Sequence, residues 1–95
     1  MWIITKDHCA NDADGMPSRI GVHSRDYDAA RFAKVDVLSI RLLDDDGELI
    51  YEALATRKRI LDSPEDRAFE LLDWCMADAG CTELQYFDDG QWQTL

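Results

Sequence analysis

The sequence lacks the features that would mark a membrane, secreted or disulfide-rich protein. No stretch approaches the roughly 18 consecutive apolar residues that a membrane-spanning helix needs. The segment Met1 to Asp7 has neither the basic region nor the apolar run of a signal peptide. Cys9, Cys75 and Cys81 are an odd number of cysteines without C-x-x-C spacing, so we expect reduced thiols. These absences favour a cytoplasmic location.

Motifs for catalysis and for cofactor binding are also missing. The sequence contains no glycine-rich phosphate-binding loop, and no nucleophile-elbow pattern surrounds His23. His8 and Cys9 are adjacent, whereas zinc ligands usually come as spaced pairs. The acidic runs before Gly15 and Gly47 do not place oxygen ligands at the positions of a calcium-binding loop. We therefore expect no enzyme activity, no metal and no cofactor.

Positive charge is scarce and unevenly placed. Ten basic residues against 20 acidic ones give a net charge of −10. Residues 60–95 hold nine of the acids and only one base, Arg67. We expect this third of the chain to repel nucleic acid and membrane surfaces and to attract basic partners. The excess charge is also consistent with a role in solubility alone.

One basic cluster, Arg57-Lys58-Arg59, interrupts this acidic background. It could contact phosphates, and two copies in a dimer would form a larger patch. Nucleic-acid-binding domains are normally basic overall, which this chain is not. The alternative interpretation is a solvated strand end or linker that balances the nearby acids Asp62, Glu65 and Asp66.

What the sequence does contain is the alternation of a small α+β domain. At 95 residues there is room for one domain with a modest core, spanning residues 1–95. Turns rich in Asp and Gly at 44–47 and 88–90 predict two hairpins, which join N-terminal strands in an antiparallel sheet. Strands are expected at 2–5, 20–24, 35–43, 48–55, 81–87 and 91–95, with a helical turn at 29–33 capped by Asp28.

One main helix is predicted over about residues 64–79, packed on one face of the sheet. Ser63 is a good N-cap residue, Pro64 suits the first helical position, and Gly80 can end the helix in the left-handed conformation. Helical spacing places an apolar arc on one side. Its members are Ala68, Phe69, Leu71, Leu72, Cys75, Met76 and Ala79.

Trp74 falls outside this arc, on the polar side of the predicted helix. A large aromatic residue among charges is often an interface anchor. The alternative is that a loop, residues 11–19, folds over it. The predicted partner-binding residues are Glu70, Asp73, Trp74 and Asp78.

Three segments, residues 23–27, 41–51 and 79–86, resemble a group of short uncharacterised bacterial proteins associated with plasmids, prophages and other mobile elements. The resemblance covers most of the chain, but it lies in turns and strands and assigns no functional residue. It implies a bacterial cytoplasmic accessory protein. Gene neighbourhoods of this kind are rich in small acidic inhibitors.

Two functions remain open at this point. The first is a non-enzymatic acidic interaction protein, an inhibitor that engages a basic surface of a nucleic-acid-binding protein. The second is a dimeric regulatory or DNA-associated protein that uses Arg57, Lys58 and Arg59. A homodimer is expected in either case, formed by pairing of sheet edges or around Trp74.

Overall fold

A computed structural model describes residues 1–8, 19–62 and 68–95 and confirms the α+β fold class. The strands are β1 (Trp2–Asp7), β2 (Gly21–Val22), β3 (Val37–Leu43), β4 (Leu49–Thr56), β5 (Glu83–Asp88) and β6 (Gln91–Thr94). The helices are α1 (Ala29–Phe32), α2 (Arg57–Leu61) and α3 (Glu70–Ala79). The strands form one antiparallel sheet in the order β2-β1-β4-β3-β5-β6.

The core lies between α3 and one face of this sheet. Side chains alternate along a strand, so every second residue of β3 points toward the helix. These residues are Leu38, Ile40 and Leu42, as the sequence pattern predicts. The register places Ala55, Ala53 and Tyr51 of β4 opposite them. All six are at most 3% exposed.

Helix α3 buries a narrower arc than its sequence predicts. Leu71, Leu72 and Cys75 are buried, whereas Met76 is 50% exposed. On a helical wheel Met76 lies about 90° from the centre of the buried residues, so its predicted core position is wrong. Gly80 ends the helix with a φ of 76° and donates its N–H to the Met76 carbonyl. The predicted start at Ser63 and Pro64 lies outside the described residues.

The prediction that all three cysteines are reduced is wrong. Cys75 and Cys81 form a disulfide, with their Cα atoms 5.4 Å apart. Gly80 turns the chain back at the end of α3, which brings two cysteines without C-x-x-C spacing together. Both residues are fully buried. The disulfide also removes the support that the cysteine pattern had given to a reducing compartment.

The two short helices follow different rules. Helix α1 begins where predicted, because the Asp28 carboxylate accepts hydrogen bonds from the N–H groups of Ala30 and Arg31. Its Phe32 is half-buried against the Tyr27 ring rather than in the core. Helix α2 corrects the interpretation of Arg57–Arg59 as a strand end or linker. It begins directly after β4 and is anchored by Ile60, which is 3% exposed.

Candidate functional site

Trp74 is the centre of an aromatic cluster that joins four parts of the fold. Its ring centroid lies 4.6 Å from that of His23, 5.2 Å from Trp2 of β1 and 5.7 Å from Tyr51 of β4. The planes of Trp74 and His23 are 25° apart, so these two rings are stacked. Trp74 is half-buried and packs against the hydrophobic core. Its sequence-based placement away from the core is therefore wrong.

Polar contacts hold this cluster in place. The Ser24 hydroxyl accepts the N–H of Trp2 at 3.2 Å and donates to the Trp2 carbonyl at 3.1 Å. The Nε2 of His23 lies 2.8 Å from the Arg19 carbonyl oxygen. Because a carbonyl only accepts, Nε2 must carry a proton, which fixes the orientation of the ring. These hydrogen bonds hold the Trp2 backbone and the His23 ring in position within the aromatic cluster.

An open groove of about 510 Å³ runs beside the aromatic cluster. We call it the Trp74 groove. It is lined by Trp2, His23, Arg25, Asp26, Arg59, Glu70 and Trp74. The Nε1–H of Trp2 is buried here and has no hydrogen-bond acceptor among the described residues. The groove therefore combines aromatic surface with charges of both signs.

Arg59 organises the polar side of the Trp74 groove. Its side chain is 12% exposed and donates to the carboxylates of Asp26 and, at 3.2 Å, Glu70. The terminal ammonium of Met1 lies 3.2 Å from Asp26. Partial burial would raise the pKa of Asp26, but the ammonium group and Arg59 outweigh it and hold that pKa below its usual value.

The structure distributes the four predicted partner-binding residues between two environments. Trp74 and Glu70 line the groove, and Asp73 is exposed on the same helix without an ion-pair partner among the described residues. Asp78 is different. Its carboxylate accepts the Tyr51 hydroxyl at 2.7 Å and pairs with Arg19 at 2.9 Å, and its side chain is 15% exposed. Asp78 therefore supports the aromatic cluster through Tyr51, and little of its carboxylate is accessible to a partner.

The basic cluster is largely neutralised by acids brought from elsewhere in the chain. Arg57 donates to Asp88 at 2.8 Å and lies 3.6 Å from Asp36. The hydrogen bond that Arg57 donates to Asp88 is the main reason why the pKa of Arg57 is raised. Arg59 is engaged in the Trp74 groove, and Lys58 is exposed. Arg57 and Arg59 thus already have carboxylate partners.

Folding reduces the charge separation that is present along the sequence. Three acids of residues 60–95 pair with arginines of the preceding segment: Asp78 with Arg19, Glu70 with Arg59 and Asp88 with Arg57. The uniform negative field expected of this third is therefore interrupted. On α3, the carboxylate of Asp73 is exposed and has no ion-pair partner within the described part of the chain.

Sequence reasoning did not identify Trp2, His23 and Arg25 as part of this site. Their proximity to Trp74 depends on β1 lying between β2 and β4, and no local pattern announces that strand order. The loop predicted as a cover for Trp74, residues 11–19, lies outside the described residues except for Arg19. Arg19 contributes its carbonyl to His23 and its guanidinium to Asp78.

The described part of the chain has neither a metal-binding cluster nor a membrane-spanning helix. It holds no group of three or more His, Cys, Asp or Glu side chains arranged to bind a metal ion. None of its helices has the length and apolar character required to cross a membrane. The His8 side chain lies instead 2.8 Å from Glu52, and His23 belongs to the aromatic cluster.

No protein-family model, no curated protein and no solved structure matches this chain. The likeness to mobile-element proteins stays a prediction from the sequence.

Proposed function

We propose that this chain is a non-enzymatic interaction protein that belongs to bacterial accessory DNA. It would act as an inhibitor that engages a basic surface of a nucleic-acid-binding protein. The observation that carries the proposal is the position of Trp74. It is stacked on His23 and supported by Trp2 and Tyr51, yet part of its surface lines an open groove. An aromatic side chain that is already ordered loses little conformational entropy on binding.

The charges around Trp74 favour a cation from the partner. Glu70 lies one helical turn before Trp74, and Asp73 is exposed next to it. A lysine or arginine side chain of the partner that contacts Trp74 would meet the exposed part of the indole near the exposed Asp73 carboxylate, whereas the Glu70 carboxylate is already paired with Arg59. Exposed ion pairs contribute only about 0–1 kcal/mol each. The indole would therefore supply most of the affinity, with about 2 kcal/mol typical of an aromatic anchor.

The alternative use of Arg57, Lys58 and Arg59 on DNA has less support from the geometry. Phosphate binding requires free cations, and a protein gains affinity when its Lys and Arg side chains replace the counterions of DNA. Arg57 and Arg59 would first have to leave Asp88, Asp26 and Glu70.

A charge-reversal pair tests the proposal. Asp73→Lys removes the exposed carboxylate beside Trp74, and Asp45→Lys makes the same change of net charge at an exposed position in the β3–β4 turn. Each variant and the unmodified protein would be immobilised and exposed to a bacterial lysate, and the retained proteins identified by mass spectrometry. We expect a nucleic-acid-binding protein that the unmodified chain and Asp45→Lys retain and Asp73→Lys loses.

Three results would contradict the proposal. Equal loss in both variants would mean that net charge alone causes retention. Retention of no protein at low salt would support neither function. Direct binding of a duplex oligonucleotide that Lys58→Ala weakens would favour the DNA-associated alternative.

A further inference from the structure

Among the described residues, β6 is the longer of the two strands at the edges of the sheet. The other edge, β2, has two residues, whereas β6 has four. The N–H of Leu95 donates to the Leu84 carbonyl, so Leu95 directs its backbone groups toward β5. Directions alternate along an antiparallel strand. The N–H and C=O groups of Trp92 and Thr94 therefore point away from β5, along the free edge.

The sequence and the register of β6 lack several of the features that usually prevent strands from pairing with other molecules. Proline, lysine, an inward-pointing charge or a β-bulge would serve that purpose. The segment Gln91–Thr94 has no charged residue and no proline, and its register with β5 is regular. The turn that precedes it, Asp89-Gly90, has positive φ at both residues and fits a tight hairpin. The strand therefore pairs regularly with β5 and carries no charged side chain.

Neutrality at this place points to a second copy of the chain as the partner. Two copies, each with a net charge of −10, repel one another over most of their surfaces. Self-association therefore requires a contact surface without carboxylates. Strand β6 supplies one, in a chain of which 32% of residues are charged.

We propose that β6 pairs antiparallel with β6 of a second copy, joining two six-stranded sheets into one. The pairing is centred on Gln93, so that Trp92 of each copy lies opposite Thr94 of the other. In this register the outward N–H and C=O groups of Trp92 and Thr94 bond to their counterparts across a twofold axis. Among the antiparallel registers with a twofold axis through β6, this is the one in which Trp92 and Thr94 of both copies are hydrogen-bonded.

Side chains on the open face of the sheet support the same contact. Phe87 and Trp92 are 42% and 36% exposed and form an edge-to-face pair with ring centroids 5.3 Å apart. The Arg41 guanidinium lies 3.7 Å from the centroid of the Trp92 ring. In the proposed register the two Trp92 side chains are diagonal neighbours on this face. Such positions are about 7–8 Å apart, within reach of aromatic rings.

Substitutions at Thr94 test the pairing without disturbing the contacts between β5 and β6. Thr94→Pro removes an outward N–H, and Thr94→Val keeps it. Thr94→Asp places a carboxylate at the edge, and Thr82→Asp adds the same charge at an exposed position outside the strands. Circular dichroism would verify that each variant folds. The dimer dissociation constant would be measured by sedimentation equilibrium.

We expect a dimer for the unmodified protein, for Thr94→Val and for Thr82→Asp. The dissociation constant should rise at least about tenfold for Thr94→Pro and for Thr94→Asp. If Thr94→Pro does not fold, Thr94→Asp still tests the interface. A monomer at the highest concentration measured would overturn the proposal. A dimer that survives Thr94→Asp but is lost in Asp73→Lys would also overturn it, because it would place the interface at the Trp74 groove.

Discussion

Trp74 and Trp92 are both partly exposed indoles, but the protein supports them in different ways. Trp74 packs against rings from three other parts of the chain, and ion pairs between distant segments line one side of its groove. Within the described part of the chain, the ring contacts of Trp92 are with Phe87 and Arg41 of its own sheet. Trp74 therefore contributes to the packing of the fold while part of its surface lines the groove, whereas Trp92 lies mainly at the surface.

The largest expected effect separates these two residues by stability. Trp74→Ala should lower the free energy of unfolding by about 2–3 kcal/mol, somewhat less than the cost of emptying a fully buried aromatic site. Trp92→Ala should cost about 0.5–1 kcal/mol, because it removes one aromatic pair and an exposed cation–π contact. Urea denaturation of the two variants measures both values. Equal losses would break the comparison.

The disulfide ties the helix that carries Trp74 to the hairpin that carries Trp92. Replacing Cys75 and Cys81 with alanine should lower the free energy of unfolding by about 2 kcal/mol, the effect of releasing a short cross-linked loop. A thiol reagent added to the unfolded, unreduced protein should modify Cys9 alone. Three reactive thiols, one for each cysteine of the sequence, would contradict the disulfide. The Cys9→Ser variant serves as the control and should react only after reduction.

A smaller effect concerns pH and is confined to the Trp74 side of the molecule. The folded state lowers the pKa of Asp26, so this carboxylate stabilises the fold at pH values above its usual 3.8. That contribution is lost as the pH falls through the lower, folded-state pKa. Because the side chain is 44% exposed, the gain is at most about 1 kcal/mol. Asp26→Asn should therefore reduce stability at neutral pH and not at strongly acidic pH, measured by denaturation against pH. An equal loss for the exposed control Asp45→Asn would contradict this.

Local chemistry made much of the fold predictable. Turns rich in Asp and Gly mark both hairpins, alternation marks the buried face of β3, and Gly80 marks the end of α3. Each of these features depends on residues close together in sequence. Propensity, capping and backbone sterics act at that range.

The candidate site was less predictable, because its parts meet only through tertiary structure. Trp2, His23 and Trp74 come together since β1 inserts between β2 and β4. The ion pairs of Asp78 with Arg19 and of Asp88 with Arg57 likewise join distant segments. The helical wheel placed Trp74 on the polar side, and that angle is correct for the helix alone. It says nothing about rings that approach from the sheet.

The central claim is that Trp74 is the anchor for another protein and Trp92 is not. The most direct measurement compares dissociation rates of the protein retained from lysate for Trp74→Phe and Trp92→Phe. Each replacement keeps an aromatic ring and reduces its area, so folding is disturbed less than by alanine. The account predicts faster dissociation for Trp74→Phe and an unchanged rate for Trp92→Phe. Equal rates for both variants, or a faster rate for Trp92→Phe alone, would contradict it.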